Sequence, residues 1–251
     1  MLRRMRTVGV DLAAEPKGTA IASIEWTPGR ATVLDVVVGA DDDRIVAAVE
    51  SADKAGIDCP LGWPAAFIEF VTDHQAHALS TPDGVDKDRR RGLAYRATDR
   101  AVYEKTRRWP LSVATDRIAH TAMRAAGLLS RLAKGGQPVD RTGSGVVVEV
   151  YPAASMRQWG LKPDRYKGTP NLPALGELVD TLRQMAHWLH LGEYEEACRK
   201  SDHAFDAVVA ALAARAAALG LVTVPDAEEL TLASTEGWIA LPVGELHELL
   251  G

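Results

Sequence analysis

An apolar run, Thr7-Val8-Gly9-Val10, ends on a carboxylate, Asp11, and a short turn then leads into a second strand-like stretch, Gly18 to Trp26. A carboxylate at the end of a first strand, followed by a turn and a strand opening Gly18-Thr19-Ala20-Ile21-Ala22, is how several metal- or phosphate-handling folds begin. Acidic residues recur in matching contexts. Asp58 follows Gly56-Ile57, Glu149 follows Val146-Val147-Val148, and Asp202 and Asp206 open a long helical pattern.

The local patterns extend this start into an α/β chain. Thr7–Asp11, Gly18–Trp26 and Ala31–Val38 are rich in Val, Ile and Thr and are separated by turn residues, so they read as an antiparallel meander. Residues 41 to 55 carry Ile45, Val46 and Val49 at helical spacing, behind an acidic opening that suits a helix N-terminus. Gly56-Ile57-Asp58 then reads as a strand, and a right-handed crossover lays it parallel to the first. Helices are expected over 63–78, 98–105, 114–132, 172–190 and 202–219, and further strands over 145–150 and 238–241. The polar stretch 80–92 reads as a loop or mobile lid. No repeat or linker breaks the pattern, so residues 1–251 read as a single domain with a mostly helical insertion at about 63–144.

Composition narrows the function. With 251 residues, 47% of them hydrophobic, the chain can bury a substantial core. Its net charge of −5 argues against tight, nonspecific binding to a polyanion, while leaving room for a local basic patch. Cys59 and Cys198 form neither a disulfide framework nor metal-ligand spacing, and the default reading is a reducing cytoplasm. The apolar stretch from Ala207 to Val224 is mostly alanine and contains Arg215, so it reads as a core helix and not as a membrane span. The pairs His74/His77 and His187/His190 have no acidic partner at zinc spacing, and no nucleophile elbow or phosphate loop is present.

A hydrolytic centre with two divalent ions needs hard oxygen ligands converging from separate elements, and Mg²⁺ or Mn²⁺ suits such ligands. Asp11 and Asp58 share one sheet edge if their strands are parallel. Ser201 suits an N-cap, which places Asp202 and Asp206 four residues apart on one helix face, with His203 on the same side. Each acid also has a plainer reading. Asp202 complements the helix dipole, Asp11 and Asp58 start turns, and Glu149 faces solvent by alternation. Asp206 resists such a reading, because it lies between Phe205 and Ala207-Val208-Val209, where an unpaired charge is costly.

The motifs Val8-Gly9-Val10-Asp11, Ile57-Asp58-Cys59-Pro60-Leu61-Gly62, Arg96-Ala97-Thr98-Asp99-Arg100, Glu149-Val150-Tyr151-Pro152, Asp202-His203-Ala204-Phe205-Asp206-Ala207 and Glu236-Gly237-Trp238-Ile239 occur in this order. Together they resemble the domain-of-unknown-function (DUF) 429 family, described as predicted nucleases with a ribonuclease H-like fold. The resemblance implies a five-stranded mixed sheet with helices on both faces, and it implies that Asp11, Asp58 and Asp206 hold the metals. The stretch from His203 to Ala207 is also similar to the His-x-x-Asp-Ala segment of Holliday-junction resolvases. Cys59 departs from the small aliphatic residue expected there.

The leading expectation is therefore a metal-dependent nuclease, acting on DNA or RNA with Mg²⁺ or Mn²⁺. Asp11, Asp58 and Asp206 would fix the metals, and Glu149 or Asp202 would complete the shell. Arg96 or Arg100 would neutralise phosphate, with Arg107 and Arg108 close behind and Asp99 orienting Arg96 or a water. A solvated helix face is the competing reading of these cations. The competing functions are phosphoryl transfer of the actin-like or sugar-kinase type and a non-catalytic binding protein on the same fold.

Overall fold

The computed structural model describes residues 4–80 and 85–251. Strands β1 (Met5–Asp11), β2 (Ala20–Thr27) and β3 (Arg30–Val38) form the expected meander; helix α1 (Asp42–Glu50) then crosses to β4 (Lys54–Asp58). Asp41 caps α1, its side chain accepting the Arg44 N–H at 2.9 Å. Strand β4 lies parallel to β1, with Gly9 opposite Gly56 and Asp11 opposite Asp58. Helices α2 (Ala65–Gln75), α3 (Lys87–Ala94), α4 (Ala97–Thr106) and α5 (Ile118–Lys134) follow, with no strand between β4 and β5 among the described residues. The chain then forms β5 (Val147–Glu149), α6 (Pro152–Gln158), α7 (Leu172–Met185), β6 (Leu189–His190), α8 (Glu195–Lys200), α9 (Asp202–Ala218) and α10 (Leu230–Glu236).

The sheet runs in the order β5-β4-β1-β2-β3-β6 and is mixed, with β5 parallel to β4 and β6 parallel to β3. It has six strands where five were expected. The extra strand, β6, is two residues long, too short to show an alternating pattern, and the helix expected to run to His190 ends at Met185. The helix expected over 41–55 stops at Glu50, because Lys54 and Ala55 already belong to β4. Trp238–Leu241 forms a single bridge, Ile239 to Glu149, in place of a strand. Of the loop expected over 80–92, residues 87 onward form α3, capped by Asp86, and residues 81–84 lie outside those described.

Alternation along the strands separates two cores. Val8, Val10, Ala55, Ile57 and Val147 pack with Ile45 and Val49 of α1 and with Leu128 and Leu132 of α5. On the other face Ala22, Ile24, Val148 and Val150 pack with α7 and α9. Helices therefore cover both faces of the sheet.

The α9 face is unusually close. A Cβ on Gly9 would fall 2.0 Å from the Ala207 carbonyl oxygen and 2.2 Å from the Ala211 nitrogen; one on Gly56 would fall 2.6 Å from the Ala210 oxygen. Two paired glycines and an alanine-rich helix thus let backbone rest on backbone. This close packing sets how far the start of α9 stands from the ends of β1 and β4.

Candidate metal centre

Period-2 alternation puts Gly9 and Asp11 of β1, and Gly56 and Asp58 of β4, on the face that meets α9. Because the two strands are parallel and in register, both carboxylates leave the sheet at the same level. Ser201 caps α9 as expected, its hydroxyl accepting the Ala204 N–H at 3.2 Å. Asp206, one turn further along, points back toward the strand ends. Asp11, Asp58 and Asp206 each bring one carboxylate oxygen to within 4.8 Å of the others.

Three acids this close repel one another. Burial raises Asp58 well above the ordinary carboxylate range; Lys167 pulls it down, while Asp11, Asp206 and Glu149 push it further up. Asp206 is 1% exposed and is pushed up to about 6 by burial, with Lys167 opposing the rise and Asp11 reinforcing it. Each acid is supported differently. Asp206 accepts the Tyr166 hydroxyl at 2.8 Å and pairs with Lys167 Nζ at 2.6 Å. Asp11 meets His203 Nδ1 at 2.6 Å, and this hydrogen bond raises the His203 pKa against the effect of its burial. Asp58 accepts no hydrogen bond among the described residues. A cavity of about 280 Å³ opens beside it, lined by Leu111, Arg117, Ile118, Tyr151 and Lys167 among others.

The donor set suits a hard divalent cation: carboxylate oxygens from three rigid elements, one of them accepting no hydrogen bond among the described residues, and an excess of negative charge that a cation would relieve.

Glu149 and Asp202 are not part of this cluster. Alternation sends Glu149 the way of Val147, away from the neighbours of Val148 and Val150. There it takes two hydrogen bonds from Arg96, at 2.8 and 2.7 Å, and one from the Leu61 N–H at 3.0 Å. Asp202 sits in the first turn of α9 and accepts the Gly168 N–H at 3.2 Å.

The arginines are also redistributed. Arg96 is 1% exposed, and all five of its N–H donors are used: on Asp99 (3.2 and 2.9 Å), on Glu149, and on the Glu236 carbonyl at 3.0 Å. It has no donor left for a phosphate. Its expected role gives way to that of a buried staple, oriented by Asp99 and joining α4 to β5 and to the end of α10. The Glu236 carboxylate completes the staple by accepting the Ala65 and Ala97 N–H groups at 2.8 Å each. Arg100 is exposed and bonds the Tyr95 carbonyl at 2.8 Å. Arg107 is exposed at the left-handed end of α4, and Arg108 forms a surface pair with Asp164 at 3.4 Å.

Tyr166 and Lys167 are the partners of the aspartate cluster that sequence reasoning missed. They lie in an aperiodic stretch between α6 and α7 that carries no motif. The one signal was indirect: a carboxylate in the middle of an apolar helical run, such as Asp206, requires a donor or cation from elsewhere.

Among the described residues no helix is long and apolar enough to cross a membrane. No curated protein and no solved structure matches the chain. The model of one protein family of unknown function, DUF429, matches residues 9–230, and the chain belongs to that family.

Proposed function

We propose that this protein is a divalent-metal-dependent nuclease that hydrolyses phosphodiester bonds on a ribonuclease H-like scaffold. The observation that carries the reading is the meeting of Asp11, Asp58 and Asp206 from β1, β4 and α9. A meander with its first strand parallel to the fourth, and carboxylates at the ends of both, supports the scaffold assignment.

In this reading the three aspartates hold Mg²⁺ or Mn²⁺. Bound there, the ion supplies Lewis acidity toward a phosphoryl oxygen and lowers the pKa of water. His203 fixes the orientation of Asp11, while Tyr166 and Lys167 fix that of Asp206. The adjoining cavity receives the substrate, with Arg117 and Lys167 as its cations. An anionic substrate is favoured by charge distribution as well. Residues 85–117 hold ten Lys and Arg against five Asp and Glu, in a chain whose net charge is −5.

The test is cleavage of DNA, RNA and branched substrates with Mn²⁺ or Mg²⁺, comparing wild type with Asp58→Asn. Metal-dependent cleavage that disappears in the variant supports the reading. Cleavage that persists in EDTA, or in the variant, refutes it.

A further inference from the structure

We infer that Lys167 occupies the place of a second metal ion, making this a one-ion centre whose second positive charge is built into the chain. The inference rests on the metal reading proposed above and concerns how many ions the aspartates take.

Three observations carry it. First, Lys167 Nζ lies 2.6 Å from Asp206 Oδ2, and that carboxylate is one of three whose oxygens lie within 4.8 Å of one another. Paired ions in hydrolytic sites stand about 3.5–4 Å apart. A second ion beside Asp206 would therefore contend with the ammonium for the same oxygen. Second, the ligands are too few for two ions. Neither of the two further acids joins the group of oxygens within 4.8 Å: Glu149 is bound to Arg96 and the Leu61 N–H, and Asp202 lies outside the group and accepts the Gly168 N–H. Third, the formal charges match. With His203 neutral, one divalent ion and one ammonium balance three carboxylates, whereas two divalent ions beside the same ammonium exceed them.

The lysine is placed for this by its own loop. Tyr166 bonds Asp206, and Gly168 bonds Asp202, so the residues on both sides of Lys167 are tied to the first turns of α9. The side chain is half-exposed and borders the cavity beside Asp58. From there the ammonium faces both the aspartates and an incoming phosphate. A lysine offers a point charge for such a group.

The experiment is Mn²⁺ titration of the full chain, with calorimetry giving the number of ions and electron paramagnetic resonance reporting coupling between them. Wild type is expected to take one ion per chain at the aspartates, with no ion–ion coupling. Lys167→Met, which keeps the length of the stem, is expected to take two coupled ions, and Lys167→Arg, which keeps the charge, to remain at one. Two coupled ions in wild type would overturn the inference and leave the metal reading standing, as would a single ion in both wild type and Lys167→Met. Absence of Mn²⁺ binding in wild type and in Lys167→Met would overturn the metal reading itself, and the inference with it.

Discussion

Asp206 and Arg96 show how differently two buried charges can be used. Asp206 is held among like charges, and its pKa is raised to about 6. An acid whose folded-state pKa is raised adds stability below its unfolded value, and that contribution is lost as pH rises through the folded value. Without metal, wild type therefore loses this contribution between about pH 4 and pH 6, whereas Asp206→Asn does not. The melting temperature of Asp206→Asn minus that of wild type should become more positive across this window. A difference that stays flat or falls would contradict the placement of Asp206. The same proton competes with a cation, so Mn²⁺ affinity should be weaker at pH 5 than at pH 8. Arg96 stands in the opposite situation, fully paired by Glu149 and Asp99. Arg96→Ala leaves both carboxylates buried without their cation and should cost about 3–5 kcal/mol in urea unfolding. Arg100→Ala, at an exposed position, should change stability by no more than about 0.5 kcal/mol. Equal effects of the two variants would mean that the staple is not structural. Sequence alone could list Arg96 as a phosphate ligand because it shows only the residue type; the saturation of all five donors depends on two partners distant in the chain, Glu149 and Glu236, besides the nearby Asp99.

At the scale of elements, the contact between α9 and β1 sets the geometry of the site. Gly9→Ala places a methyl group against the Ala207 and Ala211 backbone, where no side-chain rotation relieves it. The helix must shift or the strand must bend, at a cost of about 1–3 kcal/mol or more. The variant should melt at a lower temperature and bind Mn²⁺ more weakly, although no ligand has been changed; normal affinity would show that the close approach does not set the carboxylate spacing. The strong elements were legible in the sequence because their apolar periods were long: the meander, α5 and α9 all lie within a few residues of expectation, while α1 was found but read five residues too long. The misreadings have local causes. Strand β6 is too short to alternate, α3 is a charged helix marked chiefly by its Asp86 cap, and 238–241 is held by a bridge to Glu149 and a hydrogen bond from the Ile239 N–H to Thr98.

Across the whole molecule, the sheet brings together residues separated by nearly the full chain. The crossover rule put Asp11 and Asp58 on one edge, and the cost of an unpaired buried charge singled out Asp206. Glu149 and Asp202 stood beside them, and only the family resemblance narrowed the set to three. The acidic candidates of the site could therefore be read before the fold was known. Its basic part could not. Lys167 and Tyr166 come from an irregular connection between α6 and α7 that is tied to α9 by hydrogen bonds to Asp206 and Asp202. The central claim is that three aspartates from three elements form one divalent-cation site, and Mn²⁺ calorimetry on wild type, Asp11→Asn and Asp206→Asn tests it most directly. Binding in wild type that is lost in both variants is the predicted result. Binding that survives in either variant, or no binding in wild type at pH 8, would contradict it.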